Sequence, residues 1–452
     1  MKSSSISIKT DLTQLLRFDA SFHLSEGQTV KHAIAQSPYK TMRISDVSQR
    51  IFYGGRARRV YVSKRENGIP FLSSSDILQA DLENVKLASK KFTPGLEELK
   101  LQKGWTLISR SGTIGNCAFA TAKHAQKLAS EHVIRLVPNN ILRGGLVYAY
   151  LASKYGHSLL TQGTFGAVIQ HIEPEFIGSL PIPVFPDEFQ KKVDELVQES
   201  ARMREDATDA LNDAVAYFDG KYQIPSIFTK NFSLSLKQLG LGFAAYNNNL
   251  EVDRFIDQFK DSSFRLKDKT TRIFAPPLFK HIYLNKDNGY PFMTGSELTQ
   301  FNLRYYRWLS PRGVKDINDY VVKKGTLLLY KSGTTDGGIL GNVFIADKKL
   351  DGCCLSDHVI RINFEEEKLA YWTFAFLKSK GAVKMLIRLA TGTMIPFITP
   401  DRLSEILIPS PDDNYSMIVE LVERFIDLQS KSKYLDDKAI DMVEAEIEKW
   451  NN

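Results

Sequence analysis

Two tandem mixed α and β domains, each followed by a long helix, are what this sequence predicts, and three observations predict them. Gly68-Ile69-Pro70-Phe71-Leu72 returns as Gly289-Tyr290-Pro291-Phe292-Met293, and Arg110-Ser111-Gly112-Thr113 returns as Lys331-Ser332-Gly333-Thr334, both 221 residues on. Ser130-Glu131-His132-Val133-Ile134-Arg135-Leu136 is answered 226 residues on by Ser356-Asp357-His358-Val359-Ile360-Arg361-Ile362. Each copy then reaches a proline-rich strand end, Leu180-Pro181-Ile182-Pro183 or Leu407-Ile408-Pro409-Ser410, followed by a long stretch free of Gly and Pro. A solenoid repeat is far shorter than half of a 452-residue chain, so each copy is a domain with its own core.

From Ile44 to about Pro138, short apolar runs are broken by Gly, Pro, Asn and Ser. Trp105 to Ser109, Cys117 to Ala120 and Val133 to Val137 read as β-strands, with Ser111-Gly112-Thr113 and Gly115-Asn116 as the turn between the first two. Leu146 to Leu160 reads as one amphipathic helix, with Val147, Tyr150, Leu151 and Leu159 on one face. The second copy predicts the same order, strands through Ile362 and then helix from about Lys368 to Leu389. Asp187 to Phe218 spaces Phe189, Val193, Leu196, Met203, Ala207, Ala210, Leu211, Ala214 and Phe218 by three, four or seven, which predicts a helix with a narrow apolar seam, stopped by Gly220. Asn414 to Trp450 carries the matching seam of Ile418, Leu421, Val422, Phe425, Leu428, Leu435, Ile440, Val443 and Ile447. Neither helix hides its seam alone, so the pair is expected to pack as an antiparallel coiled coil, with the domains related by a pseudo-twofold axis.

Composition narrows the function. At 43% hydrophobic and 25% charged the chain is too apolar for disorder. Cys117, Cys353 and Cys354 offer neither zinc spacing nor a disulfide framework, and no segment supplies an apolar run long enough to span a bilayer. A cytoplasmic protein with no membrane partner is expected. Lys and Arg number 59 against 52 Asp and Glu, a net charge of +7, and basic and aromatic residues cluster at Tyr53, Arg56-Ala57-Arg58-Arg59, Tyr61 and Arg304-Tyr305-Tyr306-Arg307-Trp308. Nucleic acid is therefore a candidate partner.

Catalytic signatures fail. The chain has no Walker-type phosphate loop, no His-Glu-x-x-His and no Gly-x-Ser-x-Gly, and Ala275-Pro276-Pro277-Leu278 lacks the amide and aromatic of an amino-methyltransferase pocket. Pro186-Asp187 with Glu188 and Lys191 superficially matches a nuclease centre, but a helix would spread those side chains over solvent. Asp336 to Gly341 reads as an enlarged hairpin loop. Glu131-His132 and Asp357-His358 invite a catalytic dyad; the serines at constant offset, Ser130 and Ser356, would lie about 6.6 Å along a strand from their histidines, too far to bond. A duplicated structural hydrogen bond at the start of a strand is the expected role.

What remains are two sets of loops rich in hydroxyl and cationic groups. They comprise Ser73 and Ser74 with Arg110, Ser111 and Thr113, and Thr294 and Ser296 with Lys331, Ser332, Thr334 and Thr335. Arg and Lys neutralise phosphates or read guanine edges and hydroxyls donate to either, so these loops are the candidate DNA contacts. No catalytic residue and no metal ligand is expected.

In their order and duplication the Gly-x-Pro-Phe strand, the Arg/Lys-Ser-Gly-Thr turn and the Pro-rich entry to each helix resemble the specificity (S) subunit of type I restriction-modification enzymes. The resemblance implies two target-recognition domains, 1–186 and 234–412, and two spacer helices, 187–219 and 413–452. It implies a non-catalytic subunit that reads a bipartite target in double-stranded DNA, docks methyltransferase (M) subunits and, in the full complex, is accompanied by restriction (R) subunits. S-adenosylmethionine, magnesium and ATP would then belong to those partners, leaving this chain no cofactor of its own. Two departures stand out. The helix entry reads Phe185-Pro186-Asp187-Glu188-Phe189-Gln190 in one copy and Pro409-Ser410-Pro411-Asp412-Asp413-Asn414 in the other, and Arg17-Phe18-Asp19-Ala20 faces only Gly242-Phe243-Ala244-Ala245. Two rival classes are a DNA-modifying or DNA-cleaving enzyme with its own centre, and a protein-binding scaffold.

Overall fold

The computed structural model describes residues 25–56, 59–80, 82, 83, 85–164, 170–225, 233, 242, 244–304, 307–333, 338–392 and 394–451. The chain divides into two compact units, Met1–Glu205 with Lys431–Asn452, and Asp206–Ser430.

In the first unit a sheet runs in the order β2 (Ser48–Phe52), β9 (Val133–Pro138), β6 (Thr106–Ser109), β7 (Cys117–Phe119), all antiparallel. A second sheet runs β3 (Tyr61–Val62), β5 (Leu87–Ser89), β4 (Gly68–Leu72), β8 (Leu128–Ala129), and its β4–β8 pair is parallel. β1 (Thr41–Arg43) pairs with β10 (Pro181–Pro183). The turn expected after Ser109 does join β6 to β7.

One predicted helix is two. α2 (Gly144–Ala152) and α3 (Lys154–Gln162) are separated by Ser153, whose backbone is extended and whose Oγ accepts from the Gly156 N–H. A Cβ on Gly156 would lie 2.2 Å from the Tyr150 carbonyl oxygen, so the second helix restarts against the end of the first. α2 is buried from Gly145 through Leu151 on every side, which is why a one-faced periodicity misjudged it. Its Gly145 abuts α5 (Asp187–Lys221): the Gly145 N–H donates to Asp194 Oδ1 at 2.7 Å, and a Cβ there would meet Val197.

The second unit repeats this plan. Its sheets are β12 (Thr270–Phe274), β19 (Val359–Phe364), β16 (Leu327–Tyr330), β17 (Val343–Ile345), and β13 (Tyr283–Leu284), β15 (Arg307–Leu309), β14 (Tyr290–Met293), β18 (Cys354–Leu355), with β14–β18 again parallel. The irregularity that shifts register between Ser48 and Arg50 recurs between Thr270 and Arg272. Here too one predicted helix is two, α7 (Glu367–Leu377) and α8 (Lys380–Arg388), and Ser379 caps the second through the Ala382 N–H. A polar residue with an extended backbone resets helix geometry wherever its side chain can cap the next turn.

The long helices are α5 and α10 (Tyr415–Glu448), and each contributes to both units. Gly220 does not stop α5, which continues to Lys221, where Lys221 and Tyr217 both bind Asp412. In the first unit Val193, Val197 and Ala201 share a core with Ala439, Ile440, Val443 and Ile447. The Phe185 ring, just ahead of α5, lies 5.8 Å from that of Trp450, while Ser200 meets Ser432, so the contacts run antiparallel. In the second unit Ala207, Ala210, Ala214 and Phe218 share a core with Ile418, Val419, Val422 and Phe425. The seam is not apolar throughout. Ser200 Oγ donates to the Ser432 carbonyl at 2.9 Å and Ser432 Oγ to the Ser200 carbonyl at 2.7 Å. Beside them Tyr148 Oη donates to the buried Asp436, and buried Arg204 donates to the Gln79 carbonyl. Among the described residues no helix is long and apolar enough to cross a membrane.

Candidate nucleic-acid interface

Parallel pairing of β4 with β8 decides where the loops go. Because these strands leave the sheet at the same end, the loop after Leu72 and the loop after Ala129 emerge side by side, joined by the Ser130 N–H to the Leu72 carbonyl at 2.9 Å. The β6–β7 turn is brought in by the Arg110 N–H, which donates to the His132 carbonyl at 2.9 Å. Three loops, 73–76, 110–116 and 130–132, therefore meet. The second unit repeats each bond: Ser356 N–H to the Met293 carbonyl at 3.1 Å, and Lys331 N–H to the His358 carbonyl at 2.9 Å.

The hydroxyl loops are built alike. Asp76 accepts from the Ser73 N–H at 2.8 Å and Glu297 from the Thr294 N–H at 2.7 Å, so each loop is pinned by a carboxylate three residues on. Ser73 Oγ meets Ser75 Oγ at 3.0 Å, and Thr294 Oγ1 lies 3.3 Å from Ser296 Oγ and donates to Glu297. Gly112 holds φ at +80°, and Ser74 Oγ lies 4.0 Å from where its Cβ would be. Any side chain on Gly295 would strike the Tyr330 ring, which sets the Thr294–Ser296 loop against the residue before Lys331.

The cations differ between the copies. Arg110 lies over the Tyr53 ring, 4.3 Å from its centroid, and pairs with Glu173. Lys331 has Asp357 at 4.0 Å, and burial draws its pKa down against the pull of that carboxylate. Arg59 pairs with Glu131. Burial disfavours the Glu131 anion, but its own backbone N–H and Arg59 outweigh this and hold the carboxyl below its ordinary range. Thr113 is engaged inward by Ser109 at 2.8 Å. Thr334 and Thr335 lie outside the described residues, as do Arg17 and Asp19.

The histidines do bond serines, but not the serines their offset suggested. His132 Nδ1 is 2.7 Å from Ser111 Oγ and His358 Nδ1 is 3.3 Å from Ser332 Oγ. Ser130-Glu131-His132 forms a turn ahead of β9 rather than part of it. The separations are 21 and 26 residues because the intervening hairpins differ in length, which is why a search for constant spacing passed over them. Burial lowers the His132 pKa, and the nearby Arg59, Arg110 and His171 reinforce this against Glu131. A serine–histidine bond tying the turn after β6 or β16 to the loop before β9 or β19 is thus common to both copies. The residues not anticipated from sequence, His171 stacked 6.0 Å from His132, and Glu173, lie just beyond the next loop. Asp187, Glu188 and Lys191 occupy the first turns of α5, and the described residues contain no group of three potential metal ligands.

The model of the type I restriction modification DNA specificity domain matches the chain twice, over residues 36–198 and 270–434. Comparison with curated protein sequences returns no match. Among solved structures, the S subunit of a type I restriction-modification system from M. genitalium aligns over 90% of this chain and 94% of its own, at 12% identity and a TM-score of 0.29. The HsdS subunit from Thermoanaerobacter tengcongensis aligns over 91% and 96%, at 13% identity and a TM-score of 0.29. With both matched stretches covering the paired sheets and the three-loop ends, the chain belongs to the type I restriction-modification DNA specificity family and carries two copies of its recognition domain.

Proposed function

We propose that the chain is the non-catalytic specificity subunit of a type I complex, with each domain reading one half of a split DNA target. The observation that supports this best is the three-loop end found once in each unit, with one frame and different cations. Arg110, Ser111, Ser73 and Ser74 are assigned to one half-site, and Lys331, Ser332, Thr294 and Ser296 to the other, with Thr113, Thr334 and Thr335 as further candidates. Residues 1–186 and 234–412 are the recognition domains, and 187–219 and 413–452 the spacer. Two separate domains reading one duplex give a target whose halves are separated by several unread base pairs. Methyltransferase subunits dock on this chain, restriction subunits join through them, and all handling of S-adenosylmethionine, magnesium and ATP is theirs, in the cytoplasm.

The test is co-expression with the neighbouring methyltransferase gene, followed by sequencing of methylated bases. Modification of two short unlike sequences at fixed spacing, by the complex and not by the purified chain, is expected. Methyl transfer or magnesium-dependent cleavage by the chain alone would establish the enzyme reading instead, and a complex without DNA affinity the scaffold reading.

A further inference from the structure

Beside the Lys331 turn the second unit carries a hairpin with an apolar tip. Thr391 and Phe397 exchange both backbone hydrogen bonds, at 2.9 and 2.8 Å, closing the hairpin. Gly392 turns the chain at φ +96°, where a Cβ would come 3.2 Å from the Ile395 carbonyl oxygen, and its own carbonyl accepts from Tyr246 Oη at 3.2 Å. At the tip Met394 is 93% exposed and Ile395 69%. The returning arm, held by isolated bridges, joins the Lys331 turn: the Gly333 N–H donates to the Pro396 carbonyl at 3.1 Å, the Ile398 N–H donates to the Lys331 carbonyl at 2.7 Å, and Ser332 and Phe397 form an antiparallel bridge. Ile395 thus precedes Pro396, whose carbonyl holds Gly333, and stands two residues from Phe397, the bridge partner of Ser332.

Two paired strands lie about 4.8 Å apart, and a two-stranded ribbon fits the major groove, about 12 Å wide. The base edges there present donors, acceptors and a single kind of apolar group, the thymine C5-methyl. Two large apolar side chains held in water beside a cationic turn therefore have one matching partner in that groove. We propose that Met394 and Ile395 form an apolar finger that contacts thymine methyls in the major groove and so selects an A·T pair in the half-site read by the second domain. This rests on the DNA-recognition reading of the Lys331 turn and adds a specificity determinant to it.

The test uses the complex with its methyltransferase subunits and a duplex of its methylated target in which each thymine in turn is replaced by deoxyuridine. Removing one buried methyl group is expected to weaken binding about fourfold at one or two positions, all in one half-site. The Met394→Ser/Ile395→Ser double variant, changed only at exposed positions, should assemble normally, bind the thymine duplex less tightly, and no longer distinguish thymine from uracil there. A variant that keeps the thymine preference, or a target with no A·T pair in either half-site, would overturn the finger. So would a variant that binds DNA normally but fails to assemble, which would make the tip a protein contact. A wild-type complex with no sequence preference for any duplex would remove the DNA reading itself.

Discussion

The two recognition domains keep one frame and change what it presents. Arg135 and Arg361 are both fully buried, and each guanidinium donates to four backbone carbonyls, those of Ser130, Val133, Leu99 and Ala129 in the first unit and of Ser356, Val359, Tyr320 and Leu355 in the second. Neither has a carboxylate among those partners; burial lowers both to about 10. The cation is used to gather the carbonyls of converging loops, and it is the same in both. The surface is not. Arg110 with Glu173 and Tyr53 stands where Lys331 stands near Asp357, and Thr399 and Phe397 occupy the places of Glu173 and His171, each 226 residues on. Duplication preserved what closes the loops, and the copies differ in the side chains those loops carry. The proposed reading of two unlike half-sites rests on that difference.

The largest expected effect comes from the helix seam, where the halves should behave alike. Val193 and Val422 are both fully buried, in separate units. Val193→Asp and Val422→Asp should each cost about 3–5 kcal/mol, the penalty of an unpaired buried charge, and each should loosen its own unit in hydrogen exchange. Equal exchange in both units from either variant would show that the units are not separately stabilised.

Acid should separate the halves. His124 is fully buried, with its Nδ1 accepting from the Thr121 N–H and its Nε2 at 3.3 Å from the Ile77 carbonyl. Burial first, then the charges of Arg204 and Lys127, lower its pKa to about 3. The unfolded chain, with a histidine pKa of about 6.5, therefore takes up a proton that the folded chain refuses. This contribution is intact above about pH 6.5 and is lost as pH falls towards 3, by roughly 3 kcal/mol at pH 4. His132 and His157, lowered mainly by burial, act in the same sense. Leu350 occupies the matching position in the second unit. Exchange measured at pH 7 and pH 4 should show the first unit opening selectively, and His124→Leu should remove most of the difference.

Smaller effects are expected at the loops. Lys331→Ala should weaken DNA binding by the complex by about 1 kcal/mol and flatten the dependence of log K on log salt by about 0.9 if the contact is to phosphate. Arg110→Ala should do less, because its guanidinium must first leave Glu173 and Tyr53. An unchanged affinity and salt slope in both variants would remove these turns from the interface. Smallest of all, Glu173→Gln should release Arg110 and tighten DNA binding about twofold, in line with the modest worth of a partly exposed ion pair. A weaker complex would instead mean that Glu173 aims Arg110 at its target.

Much of this was legible in the chain. The repeat announced two domains, since a core and its turns must be rebuilt each time they are duplicated, and the spacing of Val193, Ala214, Val422 and Val443 marked the seam because burial along a helix recurs with its turn. The β6–β7 turn showed through Gly112, whose positive φ few other residues tolerate. The break at Ser153 was hidden because a helix buried on all sides has no polar face to betray its length. Ser111 finding His132 was hidden because contact across loops depends on which strands run parallel, not on sequence distance. Local order and repetition are fixed by covalent neighbours and periodicity, so the sequence by itself determined them. The meeting of loops, the polar centre of the seam at Ser200 and Ser432, and the pairing of Arg110 with Glu173 needed the tertiary structure, because each is a bond between residues that only packing makes neighbours.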